Sequence, residues 1–302
     1  MAYRFKRGES VPEGVRRIVR EEIGSAEQNL RGKSGANRDE AVHDARKSIK
    51  KVRALLRLVR PELGSSFTAE NIRLRDAGRR LSELRDAGAL IGTLDELKKR
   101  SSGALGRASL ASVRRALIVH KEQVEQEVGT DESMRDLAVT LTQIRQSAKR
   151  WPLEADGFSA IESGLEKTFR DGRKALAMAR KHGRREDFHE WRKRVKDHWY
   201  QVRLLEKLWS DVMQGYEQSL KELEDALGED LNLAILRDRI LSGPDGKGAT
   251  RTVDLLTRAI DSSRKELRDR ALAIGERVYA EKPRQFTGQI RRLWEAWLES
   301  PL

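Results

Sequence analysis

The chain has 302 residues, a formal net charge of +13 and no cysteine. Without cysteine, disulfides, thiolate zinc sites and cysteine nucleophiles are excluded, and no apolar run approaches the roughly 18 residues of a membrane span. The charge points to an anionic partner, yet 48 Asp and Glu stand against 61 Lys and Arg, which describes a mixed-charge globular surface and not a basic tail.

From the N-terminus, "MAYRFKRGES" leads into no apolar signal-peptide core, so a soluble cytoplasmic protein is expected. A first helix follows, with Val15, Val19, Ile23 and Leu30 at helical spacing. "RGKSG" (31–35) ends it, and a second helix runs over 38–60. "PELGSS" (61–66) separates that helix from a third, which contains "NIRLRDAGRRLSELRDAG". Further breaks are expected at "SSG" (101–103), "GTDES" (129–133), "WPLEADG" (151–157), "KHG" (181–183) and "SGPDGKG" (242–248). Between them lie helical stretches of about 15 to 30 residues, and strand signals are almost absent. The expected fold is all-α, built from long packed helices.

An internal repeat organises these helices. "HDARKSIKKVRALLRLV" begins at His43 and "HEWRKRVKDHWYQVRLL" begins at His189, an offset of 146 residues. The offset pairs Arg46 with Arg192, Lys47 with Lys193, Lys50 with Lys196 and Arg57 with Arg203. It also sets Val15, Val19, Ile23 and Leu30 on Ile161, Leu165, Phe169 and Leu176, and Arg75 on Lys221. Near the two ends "QIR" (143–145) falls on "QIR" (289–291), and Trp151 on Trp297. One offset from the first helix to the last predicts a duplication, with halves of 11–151 and 157–297 and about five helices each. Two bundles packed face to face about a pseudo-twofold axis, sharing a core within a single domain of residues 1–302, are expected.

On a helical wheel His43, Arg46, Lys47, Lys50, Arg53 and Arg57 gather on one side of the second helix. Val42, Ala45, Ile49, Val52 and Leu56 gather on another. His189, Arg192, Lys193, Lys196 and Arg203 repeat the basic stripe in the second half. Surface charge drifts after duplication, as Lys51 to Asp197 and Arg53 to Trp199 show, so a stripe kept twice points to a bound anion rather than to a solvated face. Like charges at i,i+4 destabilise a helix by about 0.2–0.5 kcal/mol per pair, and an anion would offset that. Arg75 and Arg79, one turn apart on the third helix, and Lys221 extend the basic set. Arg16, Arg17 and Arg20 meet Glu162, Ser163 and Glu166 in the second half and are not included. The five histidines (43, 120, 182, 189, 198) form no His-x-x-x-His pair, and cations crowd His43 and His189, so no metal site is expected. Those cations also favour neutral, hydrogen-bonding rings at the two positions.

A duplicated all-α chain with "H-[DE]-x-R-[KR]…K…R" opening the signature helix of each half resembles the CHAD domain, the conserved histidine α-helical domain. "LSELRDAGAL" resembles the family's following segment, except at Ala87 and Gly88, and "LGEDLNLAIL" departs from it after Asn232. The resemblance implies binding of inorganic polyphosphate. It assigns that role to His43, Arg46, Lys47, Lys50 and Arg57, and to His189, Arg192, Lys193, Lys196 and Arg203. Many members carry an N-terminal CYTH triphosphate-hydrolysing domain; with ten residues before the first helix, a stand-alone binder recruited to polyphosphate granules is expected here.

A nucleic-acid-binding protein is the competing reading of the same charge. Aromatic residues make up only 5% of the chain, which argues against base stacking, and no zinc-finger or helix-turn-helix signature stands out. Neither a Walker motif nor a DxD pair falls on the stripe, so binding without catalysis and without a cofactor is expected. Asp44 and Glu190, beside the histidines, are expected to orient the basic side chains.

Overall fold

Ser10 and Glu13 open the first helix as a capping box. The Ser10 amide donates to the Glu13 carboxylate at 2.9 Å, and the Glu13 amide donates to the Ser10 hydroxyl at 3.3 Å. In the computed structural model, which describes residues 3–32, 38–101, 110–128, 130–242 and 251–300, this helix is α1 (Val11–Gly32). It is followed by α2 (Arg38–Leu58), the one-turn α3 (Arg60–Leu63), α4 (Ser66–Arg100), α5 (Ala111–Val128) and α6 (Asp131–Ser147). Thr130 caps α6 by accepting from the Ser133 amide. The second half holds α7 (Ser159–His182), α8 (Arg185–Leu204), α9 (Ser210–Ser242), α10 (Arg251–Val278) and α11 (Pro283–Glu299). Gly183, at φ +66°, ends α7 in the left-handed conformation, and Pro283 opens α11 at a position that needs no amide donor. The described residues are helical with no strand among them.

Two helices exceed the expected lengths: α4 has 35 residues and α9 has 33. Two breaks add to those read from the sequence, at 205–209, which includes a short 3-10 turn (Glu206–Leu208), and at 279–282. The breaks expected at 31–35, 101–103 and 242–248 lie largely outside the described residues.

The helix pairings of the first half recur in the second. α1 packs on α2 and α6, α2 on α4, and α4 on α5; α7 packs on α8 and α11, α8 on α9, and α9 on α10. The halves meet where α2 lies against α7 and α8, and where α4 lies against α9. Each of the two clusters of buried apolar side chains draws on both halves: Ile49, Leu55 and Leu58 join Trp191, Val195 and Val202 in one, and Leu90, Leu94 and Leu97 join Leu233, Leu236 and Leu256 in the other. The contact between α2 and α7 is close enough to require glycine: a Cβ on Gly164 would stand 1.8 Å from the Leu58 carbonyl oxygen. Gln201 Nε2 donates to the buried Ala54 carbonyl across the same seam at 3.1 Å.

As the wheel predicts, Val42, Ala45, Ile49, Val52 and Leu56 are buried. Ala54, Leu55 and Leu58 are buried as well, because α2 is enclosed by its own bundle and by the second half. The N-terminal segment is also part of the core. Tyr3 and Phe5 are buried, the Tyr3 hydroxyl donates to the Lys51 carbonyl, and the Phe5 amide donates to the Leu204 carbonyl at 3.0 Å.

Candidate functional site

Because α2 and α8 lie side by side, their basic stripes face one space. A groove of about 860 Å³ opens between the bundles, lined by His43, Arg46, Lys47, Lys50, Arg53 and Arg57 of α2 and by His189, Arg192, Lys193 and Lys196 of α8. Lys221, Glu224 and Gly228 of α9 and Ser82, Asp86 and Ala89 of α4 complete its walls. Eleven of the fourteen residues singled out from the sequence therefore converge on one site. The other three stand apart. Arg75 and Arg79 are exposed on α4, with Arg75 donating to Asp76 at 2.8 Å. Arg203 pairs with Glu217 at 3.1 Å and lies over the Tyr3 and Trp199 rings.

Among the described lining residues, ten lysines and arginines face five carboxylates. The carboxylates decide which cations remain available. Glu224, its side chain 7% exposed, accepts from Lys196 at 2.6 Å and from Arg192 at 2.8 Å. Burial pushes its carboxyl up, but Arg192, Lys196 and Lys50 outweigh that and hold it below the usual carboxylate range. Asp197, 14% exposed, pairs with Arg57 at 3.2 Å and with Arg194 at 3.7 Å; burial nevertheless pushes its carboxyl up. Asp86 accepts from Arg46 at 3.3 Å, Asp225 from Lys221 and Glu229 from Arg100, and Glu190, outside the lining, accepts from Lys193 and Arg194. Glu190 thus orients basic side chains as the sequence implies.

The neighbourhood shifts the remaining groups. Burial, followed by Lys193 and Arg192, lowers the His189 ring below its ordinary value, and its buried Nδ1 has no hydrogen-bond partner among the described residues. A neutral imidazole follows from both. His43 is exposed. Lys50 is half-buried, and burial together with Lys196, Arg46 and Arg192 pushes its amine down to about 6. Burial and Arg57 lower Arg53 to about 10, which leaves it charged at neutral pH. Its Nε donates to the Asn71 side chain at 3.3 Å.

Sequence reasoning passed over Glu224, Asp225, Arg194 and Gly228. The signal for Glu224 was present: Leu220, Leu223 and Leu227 set an apolar phase on α9, and Glu224 falls within it. A carboxylate on a buried stripe requires cationic partners. Gly228 lets the Arg192 guanidinium lie against α9, since a Cβ there would come within 3.1 Å of Arg192 Nη2. The described residues contain no group of three or more His, Asp or Glu placed to hold a metal ion, and no described helix is long and apolar enough to cross a membrane.

Two helical bundles joined along paired basic helices, with a cation-lined groove at the seam, define the class of the molecule. Residues 17–241 match the family model of the CHAD domain, and the chain belongs to that family. Its fold is similar to the crystal structure of the CHAD domain from the plant Ricinus communis, with a TM-score of 0.60 and 14% identity over 98% of this chain and 95% of that one. No curated protein matches the sequence.

Proposed function

We propose that the chain binds inorganic polyphosphate in the groove between α2 and α8, without turning it over, and that this binding recruits it to polyphosphate granules. The family relates to polyphosphate binding in general, and the observation that supports the reading here is the convergence of both basic stripes on one groove. A linear polyanion repeats its charge at short intervals and offers no base edges. The groove matches this with cations in series on two helices and with few aromatic side chains. The decisive experiment is a titration of long-chain polyphosphate against duplex DNA and single-stranded RNA at matched charge and salt. Polyphosphate is expected to bind tightest; equal or tighter binding of either nucleic acid would replace the reading with a nucleic-acid-binding one. Incubation with polyphosphate and magnesium or manganese is expected to release no orthophosphate above background.

A further inference from the structure

Lys50, like Lys47, has no carboxylate partner among the described residues, but it is half-buried where Lys47 is exposed. Arg46 has Asp86, Arg57 has Asp197, Arg192 and Lys196 share Glu224, and Lys193 has Glu190. Lys50 makes no hydrogen bond or ion pair among the described residues. Arg46 on its own helix and Arg192 and Lys196 on α8 act on it as like charges. From α9 the carboxylate that acts on it is Glu224, already engaged by two cations. Asp86 of α4 is engaged by Arg46, and Glu22 of α1 by Lys51 and Ser48. Half-buried and ringed by positive charge, the Lys50 amine loses its proton in the resting groove at neutral pH. It is then a free nucleophile among cations that attract phosphate.

We infer that Lys50 is a site of covalent acylation by small acyl phosphates, an inference that rests on reading the groove as a phosphate-binding site. Arg46, Arg192 and Lys196 would hold the phosphate of the reagent next to the amine, their three charges offsetting that of a single phosphate so that the amine keeps its lone pair, as it would not beside a long polyanion. The nitrogen lone pair attacks the carbonyl carbon and a C–N bond forms. The bond from that carbon to the bridging oxygen breaks, and its electron pair leaves with orthophosphate, whose developing charge the same cations stabilise. The proton shed by nitrogen passes to the departing phosphate or to water. The products are an amide at Lys50 and orthophosphate. Such an amide cannot be protonated when a polyanion arrives, so acylation would weaken binding.

The test uses acetyl phosphate on the full chain at pH 7, with acetylation at each lysine followed by peptide mass spectrometry. Lys149 and Lys207, exposed and outside the groove, are the internal references. Lys50 is expected to acetylate at least about tenfold faster than either, because an ordinary lysine is almost wholly protonated at that pH. Excess long-chain polyphosphate is expected to suppress the reaction at Lys50 and to leave Lys149 and Lys207 unaffected. Acetylation of Lys50 no faster than that of Lys149 and Lys207 would overturn the inference. Polyphosphate affinity measured on the same sample separates the two readings. Fast acetylation without polyphosphate binding refutes the polyphosphate reading and keeps the reactive amine; binding without selective acetylation does the reverse.

Discussion

Glu224 and Lys50 sit a short way apart in the groove and carry opposite consequences for stability. Glu224 is a buried carboxylate that satisfies Arg192 and Lys196 together. Removing it leaves two cations half-buried without a partner, so Glu224→Gln is expected to destabilise the fold by roughly 3–5 kcal/mol in urea unfolding. Saturating polyphosphate should recover part of that loss, because the anion then takes the place of the carboxylate. Lys50 works in the other direction. Its folded-state value of about 6 lies below the ordinary 10.5, so the unfolded chain binds more protons there than the folded chain between those limits. Its contribution to stability therefore falls as pH drops from about 10.5 to about 6 and is level below that. Lys50→Met is expected to stabilise the protein by on the order of 1–3 kcal/mol at pH 7, with a smaller gain at pH 9.5; an equal gain at both pH values would contradict the neutral amine. Polyphosphate should restore the proton, so affinity for a long chain is expected to rise as pH falls from 8 to 6 and to level off below 6. Lys50→Arg, charged throughout, should flatten that profile. A double variant, His43→Gln with His189→Gln, is expected to keep the pH dependence.

At the scale of elements, α2 and α8 carry matching cations but are not equivalent. Lys193, Arg192 and Lys196 of α8 are each held by a carboxylate, whereas Lys47 and Lys50 of α2 are not. A polyanion must displace an ion pair to reach Lys193 and need displace none at Lys47. Lys47→Gln is therefore expected to weaken polyphosphate binding by about fivefold or more and Lys193→Gln by less than about threefold, measured by titration at about 0.1 M salt. Much of α2 was legible in the sequence. Its apolar phase named the buried face and its basic phase named the groove, because both follow from the 3.6-residue period. What the period could not show was the burial of Leu55 and Leu58 on a second face, which depends on the neighbouring half. Helix ends were legible where they use local chemistry, as at Ser10, Thr130 and Gly183. The break at 205–209 was not, since no glycine or proline marks it and buried Leu205 and Leu208 fix the turn through packing. Pro283 carries a signal for the start of α11 that the reading of breaks passed over. Arg75, Arg79 and Arg203 share the helix phases of the groove residues yet lie outside it; phase alone does not say how far along a helix the groove extends.

For the whole molecule, the offset of 146 residues indicated two similar halves, and the pairings of α1–α6 recur in α7–α11. Which faces meet was not written in the repeat. That is set by side chains with no counterpart in the other half, such as Asp197 reaching Arg57 and Gln201 reaching Ala54. The seam that forms the groove also carries part of the core, so it cannot loosen without loss of the fold. Gly164→Leu, which drives a side chain into the Leu58 carbonyl, is expected to destabilise the protein by at least about 3 kcal/mol and to abolish polyphosphate binding with it. The central claim is that both halves present their cations to one continuous polyanion. The measurement that tests it most directly is polyphosphate affinity against salt concentration, plotted on logarithmic axes. Each charge neutralised on a flexible single strand contributes a slope of roughly −0.7, so six to eight engaged charges predict a slope of about −4 to −6. A slope near −1 would mean that one or two charges engage, and would contradict a groove shared by α2 and α8.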